Sequence, residues 1–295
     1  MKTLLLATSA LVASAGFAMA DGHISFSGKA AAGIASAAGG DPMVYSGLDL
    51  GVAFSGSSDN GLDFGASVNF DSASQEFDFG SDTFDGATGG PSFGNVYVSG
   101  GGVTVTFDNG GIGGLYDGDD DHDLSVAYTS GAVSATITHD LDGTNYDENC
   151  DQSSAEDCDD DDTGSNTDFK VAYTGGAISA SVAGNDQDDM IANLGWSQDA
   201  LSVGLEFDMP SSGDDVITAS VGYTTGPVTL SASFADDDTW DVGATYSENG
   251  VSVSVATDED DAWEITGSVD AGGGLSIGAG INAAESYYLG ATMSF

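Results

Sequence analysis

The sequence predicts an all-β chain: a closed antiparallel transmembrane β-barrel of 16–18 strands, with short turns at one end and longer loops at the other. Three observations predict it. Beyond residue 20 apolar residues recur at every second position, in about eighteen segments, and the helical period is missing. The connections between segments alternate between tight glycine-bearing turns and, often, longer acidic stretches. The last segment, "SYYLGATMSF", carries Tyr287, Leu289, Ala291, Met293 and Phe295 on one face and ends on the aromatic ring.

The first twenty residues stand apart. "MKTLLLATSALVASAGFAMA" has a basic start at Lys2, an apolar run from Leu4 to Val12 and small residues at Ala18 and Ala20. That is the pattern of a secretory signal peptide with cleavage near Ala20, leaving one domain over 21–295. The run is too short for a membrane helix, and no later stretch approaches the roughly 20 apolar residues a helix needs.

The segments follow in order. "GLDFGASVNFD" sets Leu62, Phe64, Ala66, Val68 and Phe70 against Asp63, Gly65, Ser67, Asn69 and Asp71. "ALSVGLEFDM" sets Leu201, Val203, Leu205, Phe207 and Met209 against Ser202, Gly204, Glu206 and Asp208. "GVSVSVATD" and "AWEITGSVD" repeat the pattern. "SSDNG", "SGGG", "TGGA", "TTGP", "SENG" and "DAGGG" supply the positive-φ residues of tight hairpins. The other connections, 72–92, 109–123, 142–167 and 184–188, are polar and acidic.

Composition narrows the function. The chain holds 48 acidic and 3 basic residues, a formal charge of −45, and past Lys2 only Lys29 and Lys170 remain basic. Nucleic acid and anionic polymers are excluded as partners, because each needs lysine or arginine to neutralise it. Disorder is excluded too: 40% of residues are hydrophobic, including 14 Phe, 10 Tyr and 3 Trp. A soluble sandwich would place the apolar face inward. A membrane barrel places it against lipid and leaves the Gly, Ser, Thr and Asp face to line water. Closure also leaves no strand edge unpaired in lipid.

Four stretches carry a family likeness: "HISFSGKAAAGI", "GLDLGVAFSGSSDNGLDFGASVNFD", "FGNVYVSGGGVTVTFDN" and the closing "YYLGATMSF". Together they resemble the general porins of Gram-negative outer membranes, of the alphaproteobacterial, Rhodobacter-type family. The resemblance implies an outer-membrane homotrimer of barrels, usually of sixteen strands, passing small hydrophilic solutes by diffusion. It implies that Phe295 ends the strand read by the barrel-assembly machinery and closes the barrel against residues 23–34. It also implies that the third external loop, "NGGIGGLYDGDDDHDL", folds inward and brings Asp117, Asp119, Asp120, Asp121 and Asp123 to the constriction. The family sets such acids against a cluster of basic residues. Here only Lys29 and Lys170 are available, so the expectation becomes a negative, cation-preferring pore for small cationic or neutral solutes. The alternative for this run is a solvated external loop.

On strict alternation Asp49, Asp63, Glu206, Asp241, Glu264 and Asp270 also face the lumen. Cys150 and Cys158, in an exported acidic loop, predict a disulfide worth at most roughly 2–3 kcal/mol; two free thiols are the alternative. His23, His122 and His139 are scattered, so no metal site, cofactor, nucleophile elbow or acid–base pair is expected. Loose association of calcium with the acidic runs remains open to this chemistry. Tyr45, Tyr128, Tyr173, Trp196, Tyr223, Trp240, Tyr246, Trp263 and Tyr287 mostly fall near strand ends on the apolar face, as interfacial girdles do. Tyr97 and Tyr288 are the main aromatic candidates for the lumen face. Two other readings stand beside the porin: a secreted acidic β-protein with a structural or adhesive role, and a substrate-specific channel lined by aromatics.

Overall fold

The computed structural model describes residues 22–72, 77–78, 83–84, 91–116, 120–141 and 167–295. The expected signal peptide and both cysteines lie outside them. The strands are β1 (His23–Ser36), β2 (Met43–Ser57), β3 (Asp63–Ser72), β4 (Phe77–Asp78), β5 (Thr83–Phe84), β6 (Pro91–Gly100), β7 (Val103–Gly113), β8 (Asp120–Ser130), β9 (Val133–His139) and β10 (Thr167–Gly175). They continue as β11 (Ile178–Asn185), β12 (Met190–Gln198), β13 (Leu201–Met209), β14 (Val216–Thr225), β15 (Val228–Ala235), β16 (Trp240–Glu248), β17 (Val251–Asp258), β18 (Trp263–Gly272), β19 (Leu275–Asn282) and β20 (Tyr287–Ser294).

Eighteen of these strands form one sheet, and β4 pairs only with β5. Within the large sheet every pairing is antiparallel between successive wall strands, and β20 returns to β1. The sheet is therefore a closed barrel of eighteen strands, at the upper bound of the expected range and above the sixteen the resemblance implied. Closure satisfies every strand edge, which is the condition for β-structure in lipid.

The seam is built from both faces. Gly28 and Phe295 exchange two backbone hydrogen bonds, 2.8 and 3.0 Å, just beyond the β1–β20 ladder. A Cβ on Gly28 would collide with the Phe295 ring, so the missing side chain is what lets the ring lie on the outer wall. On the inner face Tyr45 lies over Gly33 and Gly290, where again a Cβ would meet the ring. Tyr45 is only 6% exposed. The expectation that it belongs to an interfacial girdle is therefore wrong. Its alternation partners are Asp49 and Gly51, not Val44, Leu48 and Val52.

Hairpins at the short-turn end use positive φ at residues such as Gly131, Gly176 and Gly226, and also at Asp199 and Asn249. The other end departs from expectation in the C-terminal half. The connection at 184–188 is a tight turn, since β11 ends at Asn185 and β12 begins at Met190. The same turn recurs before β16, β18 and β20, with the left-handed residue being Asp188, Asp238, Asp261 and Glu285. In three of the four, a side-chain oxygen at the strand end, from Asn185, Asp258 or Asn282, accepts two backbone N–H groups of the turn. Acidic sequence there marks capped turns rather than long loops.

Candidate functional site

Which face is the lumen follows from one hydrogen bond. The hydroxyl of Tyr116, in the connection after β7, donates to Asp208 Oδ1 at 2.8 Å. Asp208 is on β13, and β8 through β12 lie between the two strands. Such a link can cross only through the interior, so the Asp208 face is the inner one. The same face of β13 carries Glu206, Gly204 and Ser202. The opposite faces carry the exposed large apolar residues, among them Leu201, Val203, Leu205, Val221, Leu230 and Val255. The lumen is polar and the outside apolar, as a membrane barrel requires.

The aromatic pattern supports this orientation. Tyr128, Tyr173, Trp196, Tyr223 and Tyr246 are exposed beside the short turns. Trp263 and Tyr287 are exposed, and Trp240 half-exposed, at the other ends of their strands. Apart from Tyr45, the expected girdle residues stand at the two margins of the apolar band.

Inward carboxylates gather toward the loop end. Asp168 on β10, Asp208 on β13, Asp241 on β16, Asp258 on β17 and Glu264 on β18 each stand at or next to that end of their strand. Asp241 and Asp258 are directly opposite one another in the ladder. Ser233 Oγ donates a hydrogen bond to Asp241 Oδ2. Glu206 lies lower on the wall, between Asn193 and Thr218. Lys29 faces Asp49 across β1 and β2, and Lys170 sits between Thr136 and Ala183 on the inner face of β10.

Asp63 and Asp270 are also inward but at the opposite end. Asp63 accepts the Ser57 hydroxyl at 2.6 Å, and Asp270 accepts the Gly272 N–H at 2.8 Å. They cap turns at the short-turn mouth and do not join the upper carboxylates.

The third outer connection is brought inward. β7 and β8 keep regular register to Phe107↔Leu124, then shift, pairing Ile112 with His122 and Gly113 with Asp120. Beyond that point Leu115 and Tyr116 donate their N–H groups to Asp168 Oδ2 at 2.6 and 3.3 Å. Asp168 is completely buried, and His122 Nε2 lies 3.7 Å from its other oxygen. Of the expected constriction acids, Asp120 and Asp121 open β8, while Asp117 and Asp119 lie outside the described residues. Asp123 accepts the Leu141 N–H at 3.0 Å, tying β8 to the end of β9.

Asp168, Asp208, Asp258 and Tyr116 are the site residues missing from the sequence candidates. Alternation could have found Asp208 and Asp258, because each shares a face with the serines or glycines of its strand. Alternation also puts Asp168 on the face of Lys170, but no local signal marks its contact with the Leu115–Tyr116 backbone or the reach of Tyr116 to Asp208, because these partners are far away in sequence.

Backbone amides stand in for basic side chains around this rim. Asp189 accepts from Ser211 N–H at 2.5 Å, Asp236 from Ile217 N–H at 2.8 Å and Glu259 from Trp240 N–H at 2.9 Å. The Ser211 amide, and after it the Asn185 amide, holds the Asp189 carboxyl below the usual carboxylate range. The Thr239 hydroxyl and N–H do the same for the exposed Asp237.

Fold and inner face together define a transmembrane β-barrel channel. Residues 7–293 match the Gram-negative porin family, and the chain belongs to it. Among solved structures it is similar to a triple mutant of the Rhodopseudomonas blastica porin, with TM-score 0.55 and 14% identity over 92% of this chain and 100% of that one. A second mutant of the same porin gives TM-score 0.56 and 17% identity with the same coverage. A porin refined at 1.8 Å gives 0.52 and 18%, again covering 92% of this chain and 100% of that one. At these identities the likeness is one of fold. Comparison with curated proteins gives no match.

Proposed function

We propose that this protein is an outer-membrane porin whose water-filled lumen passes small hydrophilic solutes and ions by passive diffusion and prefers cations. The family and fold support the porin channel. The observation that carries the cation preference is the inner wall itself. Asp49, Glu206, Asp208, Asp241, Asp258 and Glu264 face the lumen, against two lysines and no arginine after residue 20. Clustered carboxylates in a low-dielectric wall concentrate cations and repel anions. Two lysines are too few to build a field across the pore: Lys29 is matched by Asp49, which leaves Lys170, between Thr136 and Ala183, against the remaining wall carboxylates. The reading needs no catalytic step and no cofactor.

The partner proposed for the wall is a second and third copy of the chain. The Tyr and Trp residues at the short-turn margin run from β8 to β16. Around the seam that margin carries Phe26, Phe54, Phe64 and Phe295, all exposed. Phenylalanine has no polar group for the headgroup zone, so this arc suits protein better than lipid.

The test is conductance of the refolded mature protein in a planar bilayer, with a reversal potential under a salt gradient. Discrete openings with a cation-side reversal are expected. A folded protein that never conducts would overturn the channel reading and favour a structural or adhesive surface role.

A further inference from the structure

We propose that Asp168 and Asp208 are positioning residues that clasp the Ile112–Tyr116 segment across the lumen and so set the open width of the pore. Asp168 serves here as an anchor rather than as part of the cation filter. This rests on the channel reading above.

Two fixed points define the clasp. At the first, the Asp168 carboxylate takes the N–H groups of two successive residues, Leu115 and Tyr116, on one oxygen, with His122 beside the other. At the second, the Tyr116 ring spans onward to Asp208 on β13. One point alone would leave the segment free to swing. Two points on different strands fix both its place and its direction.

Burial separates the roles of the carboxylates. Asp168 has no exposure, and its charge is met by amide dipoles at hydrogen-bond distance. A mobile ion cannot reach it, so it holds the segment rather than an ion. Asp241, Asp258 and Glu264 remain accessible or half-accessible on the same wall. The approach to the clasp, "NGGIGG", holds Gly110, Gly111, Gly113 and Gly114, and its last ladder pairs are Ile112 with His122 and Gly113 with Asp120. Beyond Gly113 the strand pairing ends, and the position of Gly114–Tyr116 depends on its anchors.

The experiment compares the full-length mature protein with Asp168→Ala, Tyr116→Phe, Asp208→Ala and, as a wall control, Asp241→Asn. Single-channel conductance, the size limit for neutral sugars in liposome swelling, and reversal potential are read on each. Asp168→Ala and Tyr116→Phe are expected to raise conductance, add open-channel noise and admit larger sugars, with little change in reversal potential. Asp241→Asn is expected to do the opposite, shifting reversal potential at an unchanged size limit. Tyr116→Phe and Asp208→Ala remove the same bond, so their double variant should add nothing to either single one in size limit or open-channel noise, while Asp208→Ala alone and in the double also shifts reversal potential by removing a lumen charge.

If Asp168→Ala fails to fold, Tyr116→Phe decides, since it removes only one hydroxyl. An unchanged size limit in Tyr116→Phe, or an Asp168 variant that behaves like the Asp241 one, overturns the clasp while leaving the channel intact. A wild-type protein that does not conduct overturns both.

Discussion

At the scale of single residues, small side chains decide where large ones go. Phe295 can lie on the outer wall because position 28 has no Cβ. Gly28→Val should displace the ring and strain the closing pair, at a cost of about 1–3 kcal/mol, the usual penalty for overpacking. Guanidinium unfolding of the refolded barrel measures it. Phe295→Ala combined with Gly28→Val should lose less than the sum of the two, because the clash has gone. Tyr45 shows how much of this was legible. Written out in alternation, it falls with Asp49 and Gly51, so its inward direction was in the sequence. Its resting place over Gly33 and Gly290 was not, because that depends on the register of β1 with β20, a pairing between the two ends of the chain.

At the scale of elements, the strands were legible and the acidic connections were not. Period-two alternation reports the environment of each face directly, so every wall strand left its mark. An aspartate-rich connection can be a long loop or a capped turn, and composition does not distinguish them. The turn before β20 shows the difference: Asn282 Oδ1 accepts the N–H groups of Ala284 and Ser286. Asn282→Ala should destabilise the barrel by about 1 kcal/mol, the net value of such bonds. The turn before β12 adds a pH dependence. The folded-state Asp189 carboxyl titrates below its ordinary value, because it accepts the Ser211 and Asn185 hydrogen bonds. Its contribution to stability is therefore fully present above the unfolded value, near pH 4, and is lost as pH falls through the folded value. Unfolding midpoints measured from pH 6 down to pH 3 should fall less steeply in Asp189→Asn than in the wild type.

At the scale of the whole molecule, one set of charges has two opposed effects. A formal charge of −45 repels itself, and the directly opposed Asp241 and Asp258 show that repulsion at a single ladder position. The same carboxylates are what draw cations into the lumen. Salt screens both effects, since the Debye length falls from about 10 Å at 0.1 M to about 3 Å at 1 M. Stability should therefore rise with salt while cation preference falls, measured as the unfolding midpoint and the reversal potential at a fixed concentration ratio. Mutation should reproduce the trade without salt. Asp241→Asn and Asp258→Asn each remove one member of a like-charge cross-strand pair, a relief of about 0.2–1 kcal/mol, and each removes a lumen charge. Both variants should be more stable than the wild type at low salt and less cation-selective. Their advantage in stability should vanish at 1 M salt, where the wild-type pair is already screened. A variant that lost selectivity without gaining stability would mean that the pair is held apart by bound cations even at low salt, and the filter would then be an occupied site rather than a diffuse field.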